Sequence, residues 1–335
     1  MAVTLKEIAN VLGLSTATVS KVINKKDHDI SDATRKLVLN KAKEMNYTVN
    51  EIAKSMKTNQ TKTLGFIIPD IKNSFFTEIA TAVEEKAIDY GYSIFLSNAY
   101  ENLEREINQI KILISKRVDG IIIAATNERN IEKEKSIYID RPIISIDRKV
   151  NYNHVIASID SDNYGGCYEA TDYLIKLGHK EIMYISGPAY TYTTKERKRG
   201  YLAALKNNNI EINFDYIRQG NYTVEFGYKT ILENPIDKNV SAILCGNDLI
   251  AVGVMKALKE KSIRIPNDIS IIGIDNTDIS TIVSPTLTTI NQPSTSIGKL
   301  AVETLHNYLE NQKYEKYIRL KQNLIIREST SIYKK

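Results

Sequence analysis

Polar side chains follow several apolar segments of this sequence, and their chemistry suits a ligand rich in hydroxyl groups. Asp147, Arg148, Asn247 and Asp275 come just after segments that have the composition of buried strands, and Arg197 lies near the start of a helical segment. Carboxylates and an amide beside two arginines offer paired acceptors and donors to hydroxyl groups. An Asp after a strand more often caps a helix or forms a turn. Its recurrence at several strand ends favours a binding site.

An alternation of strands and helices predicts how these side chains are positioned. Predicted strands cover 64–68, 93–96, 121–124, 143–146, 182–185, 216–218, 242–244 and 269–274, and predicted helices cover 75–90, 103–116, 164–177, 195–208, 225–233 and 249–260. Such alternation is typical of parallel sheets with helices on both faces. The pattern restarts after residue 161, which predicts two doubly wound lobes. A ligand of such lobes binds beyond the carboxyl ends of the strands.

The first 46 residues predict three short helices. Thr4 and Glu7 form a capping-box pattern, Gly13 can take the positive φ that ends a helix, and Ser15 and Ser31 are predicted N-caps. The predicted buried stripes contain Leu5, Ile8, Ala9 and Leu12, then Val19, Val22 and Ile23, then Leu37, Val38 and Ala42. Two short helices joined by a glycine-containing turn indicate a helix-turn-helix.

The face of the second helix that these stripes leave uncovered suits the major groove of DNA. It carries Thr16, Ala17, Ser20 and Lys21, which are small or cationic. Residues 1–62 contain 11 Lys or Arg and 6 Asp or Glu, a net charge of +5 that equals the net charge of the whole chain. A basic module on a neutral body indicates binding to a phosphate backbone.

Other classes of function are disfavoured by the sequence. It contains no Gly-rich phosphate loop, no nucleophile elbow and no His spacing typical of metal ligands, so we expect no enzyme, no cofactor and no metal. Cys167 and Cys245 are expected to be unpaired thiols. We find no apolar run of about 18 residues and no signal-peptide pattern, so we expect a cytoplasmic protein without a membrane partner. A pure sugar receptor would carry an export signal and no basic N-terminal module.

The sequence resembles the lactose/galactose repressor family over essentially its whole length. The segments that carry the resemblance are 3–9, 15–24, 46–61, 116–122, 246–248, 273–276 and 287–293. The resemblance implies a homodimer on a near-palindromic double-stranded operator, with hinge helices that form on DNA and insert a side chain into the minor groove. The implied DNA-contacting residues are Thr4, Ser15, Thr16, Ala17, Thr18, Ser20, Lys21, Asn24 and Met56. Met56 stands where the family usually has leucine.

The second part of the chain is also similar to periplasmic ribose-binding proteins, and the whole chain is most similar to ribose-operon repressors. This resemblance implies ribose or a related pentose as the effector. The implied effector-binding residues are Asn73, Phe75, Phe76, Asp147, Arg148, Arg197, Tyr222, Asn247, Asp275 and Gln292. Tyr222 stands where phenylalanine is more usual. An alternative is a catabolite-control regulator that answers to the phosphorylated phosphocarrier protein HPr or to a phosphosugar.

The expected organisation has four parts. These are a DNA-binding headpiece (1–46), a hinge helix or linker (47–62), an N-terminal lobe (63–161 and 292–322) and a C-terminal lobe (162–291 and 323–335). The chain ends soon after residue 330 without a heptad segment, so we expect a dimer rather than a tetramer. The sequence leaves open whether the sugar releases the protein from DNA or retains it there. Release is the commoner behaviour of the sugar-sensing members that the chain resembles.

Overall fold

The structure is a computed structural model, and it describes residues 3–48 and 60–334. The chain forms two compact units, Met1–Thr61 and Lys62–Lys335. Most of the predicted hinge, with Met56, lies outside the described residues.

The first unit contains three short helices whose starts are fixed by local hydrogen bonds. They are α1 (Leu5–Leu12), α2 (Thr16–Ile23) and α3 (Asp32–Glu44). The Thr4 hydroxyl accepts from the Glu7 N–H while the Glu7 carboxylate accepts from the Thr4 N–H, which confirms the capping box. Ser15 and Ser31 cap α2 and α3 as predicted. Gly13 ends α1 at a φ of 64°.

The core of this unit differs from the prediction at one residue. Ile8, Ala9, Val19, Val22, Val38 and Ala42 are buried together. Leu37, which was predicted to belong to this stripe, is 49% exposed. Val38 and Ala42 are four residues apart and share the inner face of α3, so the preceding position points outward. The three helices confirm the helix-turn-helix headpiece.

The second unit contains two six-stranded sheets, and the first of them is entirely parallel. Its strands lie in the order β11, β5, β4, β3, β1, β2. They are β1 (Thr63–Ile68), β2 (Ser93–Asn98), β3 (Gly120–Ala124), β4 (Ile143–Ile146), β5 (Val155–Ser161) and β11 (Tyr317–Leu320). Its helices are α4 (Ser74–Asp89), α5 (Leu103–Ser115), α6 (Ile131–Lys135) and α12 (Ser294–Leu309). Apolar clusters pack α4 and α12 on one face of the sheet and α5 on the other.

The second sheet repeats this architecture with one antiparallel strand at its edge. The strand order is β12, β10, β9, β8, β6, β7, and β12 runs antiparallel to β10. The strands are β6 (Ile182–Ser186), β7 (Ile217–Gln219), β8 (Ala242–Cys245), β9 (Ser270–Asp275), β10 (Thr288–Asn291) and β12 (Asn323–Ile325). The helices are α7 (Asn163–Lys176), α8 (Tyr192–Asn207), α9 (Val224–Glu233), α10 (Asp248–Glu260) and α11 (Ile279–Ile282). The two sheets confirm the predicted two-lobed α/β fold.

Several elements were absent from the prediction. The predicted alternation stopped at residue 274 and therefore left out α12, although Ile297, Ala301 and Leu305 form a buried helical stripe there. Strand β5 and the short strands β10, β11 and β12 were also missed. Strands β10, β11 and β12 have only three or four residues, which is too few to show an alternating pattern, whereas β5 has seven. Helix α8 begins at Tyr192, three residues before the predicted start, so Arg197 lies in its second turn.

The chain crosses between the two sheets three times. The crossings follow Ser161 at the end of β5, Asn291 at the end of β10, and Leu320 at the end of β11. Among the described residues, these three segments are the covalent connections between the two sheets.

Candidate functional site

Helix α2 presents the polar face that was predicted to meet DNA. Thr16, Ala17 and Lys21 are exposed, whereas Thr18 and Ser20 are half-buried. The N-caps Thr4 and Ser15 and the C-cap Asn24 are also exposed. These eight residues therefore lie on or next to the outer face of the headpiece. The ninth predicted residue, Met56, lies outside the described residues.

Two side-chain contacts involve residues of this face. The Lys21 ammonium pairs with Asp29, and both side chains are largely exposed. Such a surface pair is weak, so Lys21 can exchange Asp29 for a phosphate or a base edge. The Asn24 amide donates to the Ser20 carbonyl oxygen at 2.8 Å and fixes the end of α2.

All ten predicted effector residues line one cavity at the carboxyl ends of strands from both sheets. Thr193 completes the lining. The empty space between these side chains is about 250 Å³, including its mouth. The eleven side chains thus enclose one small and mostly polar cavity.

The first sheet contributes an aspartate and an arginine that adjoin in sequence. Asp147 and Arg148 follow β4 and are both buried. The Arg148 guanidinium donates to the Ala125 carbonyl oxygen at 2.7 Å and to Glu101 at 3.2 Å. Its Nε lies 3.5 Å from the Asp147 carboxylate. Arg148 is thus oriented by groups outside the cavity.

The second sheet contributes a second buried arginine from helix α8. The Arg197 Nε donates to Asn163 Oδ1 and its terminal nitrogen donates to the Gly246 carbonyl oxygen, each at 2.7 Å. Thr193 lies four residues earlier and so shares its face of the helix. The two bonds hold the guanidinium against the cavity wall.

Three polar atoms of this lining have no hydrogen-bond partner within residues 3–48 and 60–334. They are Oδ1 of Asp147, Nε of Arg148 and Nδ2 of Asn247, and each is buried. The other end of the Asn247 amide is occupied, because its Oδ1 accepts from the Ile250 N–H at the start of α10. One acceptor and two donors are thus left for a ligand.

Asp275 and Gln292 connect the cavity to the crossings between the lobes. The Gln292 amide donates to Asp275 Oδ1 at 2.6 Å, and its oxygen accepts from the Ser161 hydroxyl at 2.8 Å. Gln322 donates to the Ser161 hydroxyl at 2.9 Å. Ser161, Gln292 and Gln322 stand at the three crossings, so a ligand that touches Gln292 touches the group that joins the lobes.

Aromatic rings cover the remaining walls. Phe75 and Phe76 pack edge to face with ring centroids 5.1 Å apart. The Tyr222 hydroxyl shares a hydrogen bond with Thr194, and its ring lies against Gly187, where a Cβ would come within 2.1 Å of the ring. Gly187 is therefore required for this ring position. Asn73 caps α4 through the Phe75 N–H at 3.1 Å and places both phenylalanines.

Burial changes the protonation chemistry of the cavity. Desolvation raises the pKa of Asp147, and it raises the pKa of Asp275 well above its usual value, although Arg197 opposes the latter shift. Desolvation opposes the charged form of both arginines, but neighbouring acidic groups raise their pKa overall, so both stay cationic. Beside the site, burial raises the pKa of Asp248 to about 7.

Metal-binding clusters and membrane-spanning helices are absent from the described residues. Within the described ranges, no cluster of three or more His, Cys, Asp or Glu side chains could hold a metal ion. No helix there is long and apolar enough to cross a bilayer. Cys167 and Cys245 are buried free thiols, as predicted, and burial raises the pKa of each.

Sequence reasoning missed three residues that shape the cavity. Thr193 could have been found from Arg197, because one helical turn separates them. Glu101 and Asn163 orient the two arginines from distant parts of the chain. No sequence signal connects either of them to its arginine.

Family comparisons match both units of the chain. Residues 4–50 match the family described as bacterial regulatory proteins, lacI family. Residues 61–327 match the family of periplasmic binding proteins and the sugar binding domain of the LacI family.

Individual relatives agree with these matches. The HTH-type transcriptional repressor PurR of Pasteurella multocida (strain Pm70) is 37% identical over 331 residues, covering 97% of this chain and 98% of that protein. The lac repressor dimer bound to operator and the anti-inducer ONPF superposes with a TM-score of 0.86 at 26% identity, covering 99% and 100% of the two chains. A LacI family transcriptional regulator from Enterococcus faecium with bound ribose gives a TM-score of 0.70 at 27% identity, covering 81% and 100%.

These relatives share one class of activity and differ in their names and ligands. The Pasteurella relative carries the name PurR and not that of a ribose-operon repressor, so the finer expectation is not confirmed. The chain belongs to the lacI family of bacterial regulatory proteins, as a DNA-binding transcriptional repressor rather than an enzyme.

Proposed function

We propose that this repressor responds to a neutral pentose, with ribose as the first candidate, bound between the lobes of its second unit. The observation that carries the proposal is the set of unpartnered atoms of Asp147, Arg148 and Asn247. A buried polar atom without a partner costs about 1–3 kcal/mol. Hydroxyl groups both donate and accept, so a sugar can satisfy all three atoms.

The cavity offers both acceptors and donors to a ligand. Two arginines face two carboxylates there, and Glu101 stands behind Arg148. Hydroxyl groups can bond to both kinds of group, so the lining suits a free sugar. The ribose-bound regulator from Enterococcus faecium supports the same choice.

We further propose that the protein acts as a homodimer on a near-palindromic operator. Phe95 and Leu96 lie on the edge strand β2 and are 48% and 45% exposed. Exposed apolar residues on a sheet edge are commonly covered by a partner, and the superposed lac repressor is a dimer bound to operator. In this proposal the face of α2 with Thr16, Ala17 and Lys21 contacts bases. The four-part domain division and the hinge role of residues 47–62 belong to the same proposal.

Effector binding would change DNA affinity by shifting a population of lobe arrangements. Gln292 touches both the cavity and the crossings through Ser161, so a sugar that contacts it favours one arrangement of the lobes. The sugar must prefer one state by roughly two to four orders of magnitude to move the protein from mostly bound to mostly released. Release and retention use the same site with opposite preferences.

The direct test is isothermal titration of the full chain with D-ribose, beside hexoses and phosphorylated sugars. Arg197→Ala is compared with Arg199→Ala, because Arg199 is an exposed arginine of the same helix. We expect saturable ribose binding that only Arg197→Ala loses, with circular dichroism verifying that both variants fold. Asp147→Asn is the second variant if Arg197→Ala does not fold.

A second readout connects sugar binding to DNA. Duplexes selected by the protein from a random pool provide the operator, and its affinity is measured with and without ribose. A tenfold or larger change in either direction supports the proposal. Tight ribose binding with unchanged operator affinity contradicts the mechanism. No binding of any free sugar favours the phosphosugar or HPr alternative.

A further inference from the structure

The sugar cavity shares a wall with a second and larger space. Asn73, Phe76, Arg148 and Tyr222 line both of them. The empty volume of the outer compartment is about 1350 Å³, including open solvent, against about 250 Å³ for the cavity. The outer compartment is also lined from both lobes, so a ligand filling it would bridge them as the sugar does.

The outer compartment has an aromatic ring and an unused acceptor. Tyr190 is 60% exposed there. Asn127 is only 8% exposed, and its Oδ1 has no hydrogen-bond partner within the described part of the chain. The Asn127 backbone N–H donates to Glu101 at 2.7 Å, which fixes the residue beside Arg148. This buried carbonyl oxygen can therefore accept a hydrogen bond from a ligand in the compartment.

We propose that this compartment binds the aglycone of a pentose glycoside, and that the aglycone is a neutral planar group with N–H donors, as in a nucleoside. The inference rests on the proposed function, because the sugar of the same molecule would occupy the cavity. It extends that function by identifying the effector class as a ribonucleoside rather than free ribose.

Each part of such a ligand has a matching group. The exposed ring of Tyr190 offers a stacking surface for a planar base, and Asn127 Oδ1 accepts a base N–H. At the shared wall, the unpartnered Nε of Arg148 can donate to the ring oxygen of the pentose. Outside the shared wall, the charged residues that line the compartment are one cation, Lys72, and three acidic residues, Asp70, Glu101 and Glu225. This acidic excess disfavours an anionic aglycone.

The test compares D-ribose, methyl β-D-ribofuranoside, adenosine, uridine and adenosine 5′-monophosphate by isothermal titration of the full chain. Tyr190→Ala and Asn127→Ala are compared with Tyr138→Ala, a highly exposed tyrosine outside both spaces. We expect at least one nucleoside to bind about tenfold more tightly than the methyl riboside. Tyr190→Ala and Asn127→Ala should each remove most of that advantage and leave ribose affinity within twofold, and Tyr138→Ala should change neither.

The outcomes separate this inference from the proposed function. Ribose binding without any preference for nucleosides overturns the inference and leaves the proposed function standing. Equal losses of ribose and nucleoside affinity in Tyr190→Ala and Asn127→Ala also overturn it. Absence of binding by ribose, the riboside and both nucleosides overturns both.

Discussion

Replacing Asp147 by asparagine should weaken sugar binding without destabilising the protein. The two side chains have nearly the same shape, so the change removes a charge and little else. Desolvation raises the pKa of Asp147 in the folded state. The folded protein therefore binds more protons than the unfolded chain above the unfolded pKa, and stability falls as pH rises through this window. At neutral pH the ionised carboxylate lowers stability, and an amide removes that cost.

The expected loss of affinity follows from the type of hydrogen bond. A bond to a charged group contributes about 1.5–3 kcal/mol and a neutral one about 0.5–1.5 kcal/mol. The difference of about 1–1.5 kcal/mol corresponds to about five- to tenfold weaker ribose binding. The ratio of the wild-type ribose affinity to that of Asp147→Asn should shrink as the pH falls, because Asp147 of the wild type becomes protonated and is then neutral like asparagine. Isothermal titration from neutral to acidic pH measures the ratio, and thermal unfolding without sugar measures stability.

Asp89→Asn is the matched control. Asp89 is an exposed carboxylate at the end of α4, where it pairs with Lys86. It does not line the cavity. We expect unchanged ribose affinity in this variant. A lower midpoint of unfolding for Asp147→Asn, or an unchanged ribose affinity at neutral pH, would refute the assignment of Asp147 as a desolvated ligand acceptor.

Three further outcomes are expected. Burial raises the pKa of Asp248 to about 7, so the contribution of this residue to stability falls between about pH 4 and pH 7. The unfolding midpoint of the wild type should therefore drop more over this range than that of Asp248→Asn. Equal slopes of midpoint against pH in the two proteins would contradict the raised pKa. Arg129→Ala should lower the free energy of unfolding in urea by about 3–5 kcal/mol, because it leaves Glu106 and Glu134 buried without their shared cation. A loss below about 1 kcal/mol would show that water takes the place of the guanidinium. Ser15→Ala should cost the headpiece about 1 kcal/mol by removing the α2 cap, measured by thermal unfolding of the headpiece signal, with weaker operator binding and no effect on ribose.

Local patterns of the sequence determined the headpiece helices and most of the longer elements of the two lobes. Capping residues and helical spacing were sufficient for α1 to α3, because a cap and its N–H partner are only three residues apart. The alternation from residue 63 predicted two doubly wound lobes for a similar reason, since each strand and helix carries its own period. Leu37 shows the limit of this reasoning, because a stripe of adjacent apolar residues does not say which one faces inward.

Carboxyl-end position and chemical type selected Asp147, Arg148, Arg197, Asn247 and Asp275, and the family resemblance supplied the other predicted cavity residues. The general rule that ligands bind beyond the strand ends of such sheets supplied the positions, and the family resemblance supplied the ligand class. Asp147 and Asn247 were therefore accessible to sequence reasoning. Their unpartnered atoms were not, because partnership depends on every neighbour of the atom.

Only the tertiary structure decided how these side chains are held. Glu101 orients Arg148 and Asn163 orients Arg197 across 47 and 34 residues of sequence. Gln292 meets Ser161 across 131 residues, which connects the cavity to the crossings between the lobes. Such contacts depend on how two sheets and their connections pack together. The sequence thus determines which groups are present and on which element each lies, whereas packing determines their partners, their desolvation and hence their protonation.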